Sequence, residues 1–233
     1  MRRLLLVSLL VMLTACGSSL YRWEETQGDA RADQAYEVQK GDTLYSIAFR
    51  YGLDFRQLAK WNDIGSDYTI YPGQQLSLLP GDGSLAAAPR EPTRPAQAAA
   101  PPSPRATTSS GITWQWPTEG SLLATFGANN ATGKGIDIGG IVGDDVRAAA
   151  AGKVVYAGSG LIGYGKIIII KHSEEFLSAY GHNSELFVSE GEQVEQGERI
   201  AKMGRGPESR PLLHFEIRIN GKAVDPLPYL PAR

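Results

Sequence analysis

The chain has 233 residues, 21% of them charged, with 23 Lys and Arg against 25 Asp and Glu and a formal net charge of -2. No basic surplus or basic stripe is available to neutralise phosphates, so nucleic acid is not an expected partner. A lone cysteine excludes a disulfide within the chain, and three histidines, His172, His182 and His214, leave little material for a nitrogen-rich metal centre.

At the amino terminus Arg2 and Arg3 precede an apolar run from Leu4 to Leu13. That run is too short to span a bilayer and has the length of the core of a cleaved secretory signal. Leu13-Thr14-Ala15-Cys16 then ends it in small residues before the cysteine. This tetrapeptide resembles the lipobox of bacterial lipoproteins. The resemblance implies that residues 1–15 are a signal peptide and that Cys16 is acylated and becomes the first residue of the mature chain. With no aspartate after Cys16, it also implies delivery to the inner face of the outer membrane. At about 0.8 kcal/mol per buried methylene, several acyl chains anchor a soluble body almost irreversibly. Residues 16–34 read as the lipidated Cys and a polar tether.

Residues 35–80 carry the first module. Tyr36-Glu37-Val38 alternates as a short strand, and Gly41-Asp42 supplies a turn and an N-cap for a helix from about Thr43. Leu44, Ile47, Ala48 and Tyr51 fall on one helical face, and Gly52 ends the helix. Asp54 caps a second helix whose inward residues are Phe55, Leu58, Ala59 and Trp61; Tyr71-Pro72-Gly73 then turns into a strand over Gln75 to Leu79. The expected order is βααβ, a small α+β unit. Gly41-Asp42-Thr43-Leu44, Ile47-Ala48, Trp61-Asn62 and Tyr71-Pro72-Gly73-Gln74 together resemble a LysM domain over its whole length. That resemblance implies recognition of N-acetylglucosamine in peptidoglycan by a shallow groove. The matching positions are Gly41, Asp42, Thr43 and Leu44, with Asn62, Ile64, Ile70 and Tyr71 across from them. Asp42 is equally readable as a helix cap alone, and Leu44 as core alone.

Residues 81–112 offer almost nothing large to bury: Ala86-Ala87-Ala88, Ala98-Ala99-Ala100 and a series of prolines from Pro89 to Pro104. Such a composition cannot offset its own ordering entropy and predicts a disordered Ala/Pro-rich linker between two independent modules.

From residue 113 to 233 short apolar runs alternate with glycines and helical periodicity disappears, which predicts an all-β domain. Strands are expected over Ser121 to Phe126, Gly152 to Ala157, Lys166 to Lys171 and Leu213 to Arg218. Ile167 to Ile170 suits a strand buried on both faces. Gly135-Ile136-Asp137-Ile138, Gly163-Tyr164-Gly165, Tyr180-Gly181-His182 and Leu213-His214-Phe215-Glu216 resemble, in order and spacing, the LytM or lysostaphin-type zinc metallopeptidases. Active members carry His-x-Gly-x-Asp, Tyr-x-His and His-x-His. On that pattern the ligands Asp137 and His214 are kept, but Gly133 stands at the first ligand histidine; of the two catalytic histidines, His182 is kept and Leu212 replaces the other. Glycine has no donor for zinc, and leucine cannot move a proton. The expectation is a degenerate domain that is not an enzyme, with no cofactor and only vestigial metal ligands. His172, at a strand end, reads as structural.

The order of lipobox, LysM, linker and degenerate LytM domain resembles outer-membrane lipoproteins that activate murein hydrolases. This implies a partner N-acetylmuramoyl-L-alanine amidase of the AmiC type, acting in daughter-cell separation at the septum, with septal division proteins as further partners. The former substrate groove is the expected amidase-docking surface, with Lys134, Asp137, Tyr164, His182, Arg205, Arg210, Leu212 and His214 on its rim. Leu212 either packs against the partner or fills the vacated site. Two rival functions are a passive tether from outer membrane to peptidoglycan and an active zinc endopeptidase with a rearranged site.

Overall fold

The computed structural model describes residues 35–80, 111–128 and 132–233. Cys16, the signal peptide, the tether and linker residues 81–110 lie outside the described residues.

The first module is strand β1 (Ala35–Glu37), helix α1 (Leu44–Tyr51), helix α2 (Phe55–Trp61) and strand β2 (Gln75–Ser77), the expected βααβ order. β1 and β2 pair antiparallel, with Tyr36 opposite Leu76. The N-cap of α1 is Thr43 rather than Asp42: the Thr43 hydroxyl accepts from the Ser46 N–H, and Ser46 Oγ accepts from the Thr43 N–H, a reciprocal capping box. Asp42 instead gathers the Tyr36 hydroxyl at 2.6 Å, the Gln39 N–H at 2.9 Å and Arg50 at 3.4 Å, tying the strand-helix loop to the helix. Gly52 ends α1 in the left-handed conformation at φ 66°, where a side chain would be strained. Leu44, Ile47, Ala48, Phe55, Leu58, Ala59, Leu76 and Leu78 form the core.

The second module is all-β. In chain order its strands are β3 (Leu122–Ala124), β4 (Ile136–Gly139), β5 (Asp145–Arg147), β6 (Gly152–Gly158), β7 (Lys166–Lys171), β8 (Phe176–Leu186), β9 (Gln193–Val194), β10 (Arg199–Arg205), β11 (Pro211–Ile219) and β12 (Lys222–Val224). They form one sheet, in which β11 lies antiparallel to β4, β8, β10 and β12. Alternation divides β11 between two faces. Leu213, Phe215 and Ile217 enter the main core with Ile136, Ile138 and Tyr180, while Leu212, His214, Glu216 and Arg218 occupy the opposite face. The isoleucine run behaves likewise. Ile168 and Ile170 belong to the main core, and Ile167 and Ile169 to a second apolar cluster on the other face.

What covers that other face is the first module, so the two halves are packed together rather than independent. Phe49, on the side of α1 away from its own core, is 2% exposed and sits among Val155, Leu161, Tyr164, Ile167 and Ile169. The Arg218 guanidinium lies 3.4 Å from the centroid of the Phe49 ring and donates to the Phe49 carbonyl at 2.7 Å. That carbonyl is in the last turn of α1, where the helix is left with partial negative charge, so the cation caps it from the other domain. Thr43 Oγ1 donates to the Val155 carbonyl at 3.2 Å, and Arg56 to Asn220 Oδ1 at 2.7 Å. Gly221 takes φ 81°, and a Cβ there would collide with the Leu53 backbone, so the domains meet too closely for any other residue.

Truncating a buried Phe to Ala costs about 3–5 kcal/mol, and here the loss falls on the contact between the domains. Phe49→Ala is therefore expected to split a joint unfolding transition in scanning calorimetry into two. A variant that still melts in one transition at the wild-type Tm would contradict a stabilising interface.

Candidate functional site

The residues matched to the zinc-site positions are held by the sheet register. His214 on β11 lies opposite Asp137 on β4 and opposite Gly181 on β8, so two neighbouring strands bring Asp137 and the start of the Gly181-His182 turn to one place. Gly181 leaves room there, since a Cβ would meet Tyr164 and the His214 Cβ. His182 takes a left-handed φ of 63°, uncommon outside glycine, with its N–H donating to the Tyr164 carbonyl at 2.8 Å. Its ring centroid is 6.1 Å from that of His214.

These residues form a chain of hydrogen bonds running away from the metal position. His214 Nδ1 is 2.6 Å from Asp137 Oδ1, and Nε2 is 3.1 Å from both Glu216 Oε1 and Thr132 Oγ1. Tyr164 donates to the same Glu216 oxygen at 2.7 Å, and Arg218 Nε donates to Glu216 Oε2 at 2.7 Å. Glu216 is fully buried and Arg218 1% exposed. Burial alone disfavours a charge on His214, but the hydrogen bonds it donates to Asp137 and Glu216, with their negative charges, outweigh it and raise the imidazole to about 9. Burial likewise opposes the Glu216 carboxylate, yet the Arg218 charge and the His214 bond hold it at about 2. The imidazolium thus donates from both nitrogens.

The donor set falls short of a zinc site: of the three protein ligands zinc needs, Asp137 and His214 are present, here hydrogen-bonded to each other, while Gly133 has no side-chain donor. Among the described residues no group of three or more His, Cys, Asp or Glu is arranged to hold a metal ion.

Of the eight residues expected on a docking rim, Asp137, Tyr164, His182, Leu212 and His214 are each 8% exposed or less. These five are buried, and a Cβ on Gly206 would meet both the Leu212 side chain and the His182 ring. Lys134 is half-buried, and Arg205 and Arg210 are exposed. Ile162, an isoleucine in the loop before Tyr164, is 96% exposed and lies in no motif that marks it. In the first module Leu44 is core, and the Asn62 side chain is spent on Leu58 and Ser77, a structural staple. Gly41 and Tyr71 are exposed, and Thr43, Ile64 and Ile70 are half-buried. His172 is structural: Nδ1 lies 2.8 Å from the Ala151 carbonyl and Nε2 2.7 Å from Ser178 Oγ, and burial lowers its imidazole to about 4.

This fold and site define a LysM-bearing protein with an M23 peptidase-type domain. The model of peptidase family M23 matches residues 131–226 and that of the LysM domain residues 36–78. The Lipoprotein NlpD/LppB homolog of Pseudomonas aeruginosa is 46% identical, over 85% of this chain and 77% of that one. The murein hydrolase activator NlpD of Escherichia coli is 38% identical, over 85% and 68% respectively. A peptidase M23 crystal structure from Pseudomonas aeruginosa aligns with a TM-score of 0.47 at 30% identity, over 52% of this chain and 51% of that one. The chain belongs to the NlpD family of lipoproteins.

The shifted histidines fix a pH dependence of stability. His214, raised from 6.5 to about 9, contributes fully below pH 6.5, and that contribution is lost as pH rises through 9. His172, lowered from 6.5 to about 4, favours the fold while neutral, and its contribution is lost as pH falls from 6.5 through 4. The Tm is expected to peak near pH 6.5. His172→Gln should flatten the acid limb and leave the alkaline limb, measured by thermal melts across pH; an unaltered acid limb would refute the assignment.

Proposed function

We propose that the chain is a non-catalytic activator of a periplasmic N-acetylmuramoyl-L-alanine amidase of the AmiC type in septal peptidoglycan splitting and daughter-cell separation. It is held at the outer membrane by lipid on Cys16 and bound to peptidoglycan through its LysM domain. What supports this reading is the set of residues matched to the metal position: Asp137 and His214 hydrogen-bonded to each other, Gly133 with no side-chain donor, and Leu212 where active members carry a histidine. A domain that keeps the fold of a peptidase but not its chemistry still offers a shaped surface. The name of the Escherichia coli relative, a murein hydrolase activator, supports the same reading.

Activation needs only that this surface bind an open state of the amidase better than its closed state. The contact then falls to groups that reach solvent: Arg205 and Arg210, which flank the loop above Leu212, and Lys134, with Ile162 as an apolar anchor. Septal division proteins would bring the chain to its site of action.

The test uses a Cys16→Ser chain without residues 1–15, which carries neither the apolar signal nor an acylated cysteine, mixed with purified amidase and dye-labelled peptidoglycan. Wild-type sequence is expected to raise dye release well above amidase alone. Arg205→Glu with Arg210→Glu should cut that gain by about tenfold or more, the scale on which an interfacial charge contact of about 1–3 kcal/mol registers. A gain unaffected by the double reversal would remove these arginines from the docking surface, and no gain from the wild type would favour a passive tether.

A further inference from the structure

The packing of the two domains creates a cleft of about 570 Å³ between them, within the range of volumes that hold small ligands. One wall is the LysM domain: Asp42, Thr43 and Tyr45 at the start of α1, facing the loop that runs from Ser66 to Ile70. The other wall is the β-domain: Lys153 to Val155 on β6, Lys171 at the end of β7, and Glu190. A second cleft of about 550 Å³ lies beyond Lys40 and Gly41 and shares Glu190, so the strand-helix loop of the LysM domain stands as a ridge between two hollows.

Three features distinguish this space from a packing gap. Tyr68 holds a left-handed φ of 56°, a strained conformation for an aromatic residue and one that clusters at binding sites. Its half-buried ring is fixed edge-on to Phe55 at 5.1 Å and to Tyr45 at 5.7 Å, presenting an aromatic surface at the cleft that can meet the apolar face of a sugar. The two lysines of the opposite wall differ in state. Lys171 is committed: it pairs with Glu174 and lies 5.1 Å from the Phe55 ring and 5.7 Å from that of Tyr68. Lys153 is exposed on the cleft wall, and its ammonium makes no hydrogen bond or ion pair to any described residue. A free ammonium opposite an aromatic platform suits a ligand with a carbohydrate face at one end and a carboxylate at the other.

We infer that this interdomain cleft binds an amino-sugar strand that carries carboxylates, with the LysM loops and Tyr68 holding the sugar and Lys153 pairing with the carboxylate. The inference rests on the reading of the LysM domain as a glycan binder and adds that the degenerate peptidase domain supplies half of the site and its charge selectivity. In peptidoglycan the carboxylate has two sources. Stem peptides carry carboxylates of their own, and hydrolysis of the bond between the lactyl group and the first alanine leaves a free lactyl carboxylate on the sugar. In the second case the chain would recognise the product of the enzyme it activates.

The Cys16→Ser chain is titrated calorimetrically with three tetrasaccharides: the N-acetylglucosamine–N-acetylmuramic acid strand without peptides, the same strand with stem peptides, and neutral chitotetraose. At least one carboxylated strand is expected to bind about tenfold tighter than chitotetraose, the scale of one charge-assisted hydrogen bond. Lys153→Gln should bring it down to the chitotetraose affinity while leaving chitotetraose binding unchanged, which also reports an intact LysM groove. Preference for the peptide-free strand identifies the lactyl carboxylate, and preference for the other identifies the stem. Equal affinity for all three glycans, untouched by Lys153→Gln, overturns the shared cleft while the LysM reading stands. Failure to bind any of the three overturns that reading and the shared cleft with it.

Discussion

A carboxylate and a guanidinium with almost no access to water, Glu216 and Arg218 on the same face of β11, set the terms for everything around them. Neither charge is tolerable alone in that position: removing one member of a buried pair leaves the other uncompensated, at a cost of about 3–5 kcal/mol. Both ends of the pair also have lone pairs or donors left over. Glu216 satisfies its remaining oxygen with Tyr164 and His214, and Arg218 satisfies its remaining nitrogens with the Phe49 carbonyl and the Tyr164 hydroxyl. The pair therefore links the vestigial metal site at one end to the LysM domain at the other. Burial of the pair depends on the LysM helix being in place, because Phe49 is what lies over Arg218.

We read the positions matched to the metal site as part of this ion network: His214 lies between the Asp137 and Glu216 carboxylates, and Leu212 is buried on the same face of β11. In the proposed activator a partner meets the groups at the edges, where Arg205, Arg210 and Ile162 reach solvent.

Local rules made much of the fold legible. The strand over Lys166 to Lys171 coincides with β7, and its double-sided burial follows from four consecutive isoleucines. The βααβ order was readable from caps, helical spacing and the Tyr71-Pro72-Gly73 turn. His172 reads as structural from its place after that strand, and its two hydrogen bonds agree. What stayed hidden depends on contacts between distant segments. Phe49 falls outside the Leu44, Ile47, Ala48 face of α1, so periodicity marks it as solvent-facing, and only the second domain explains its burial. Arg218 at the end of a strand reads as a surface cation for the same reason. The N-cap was misplaced by one residue because Asp42 and Thr43 are both good caps, and the choice was made by Tyr36 and Arg50, which claim the aspartate. Tyr45 and Tyr68 gave no sign of lining a cleft, since half of that cleft belongs to the other domain.

We hold that the chain keeps the form of a peptidase without its chemistry. The deciding experiment incubates the Cys16→Ser chain alone with labelled peptidoglycan and added zinc and follows released label before and after a chelator. Release should be no greater than in buffer, with no change on chelation. Zinc-dependent release by the chain alone would overturn this reading, because a metal would then have displaced the His214–Asp137 bond and found a third ligand.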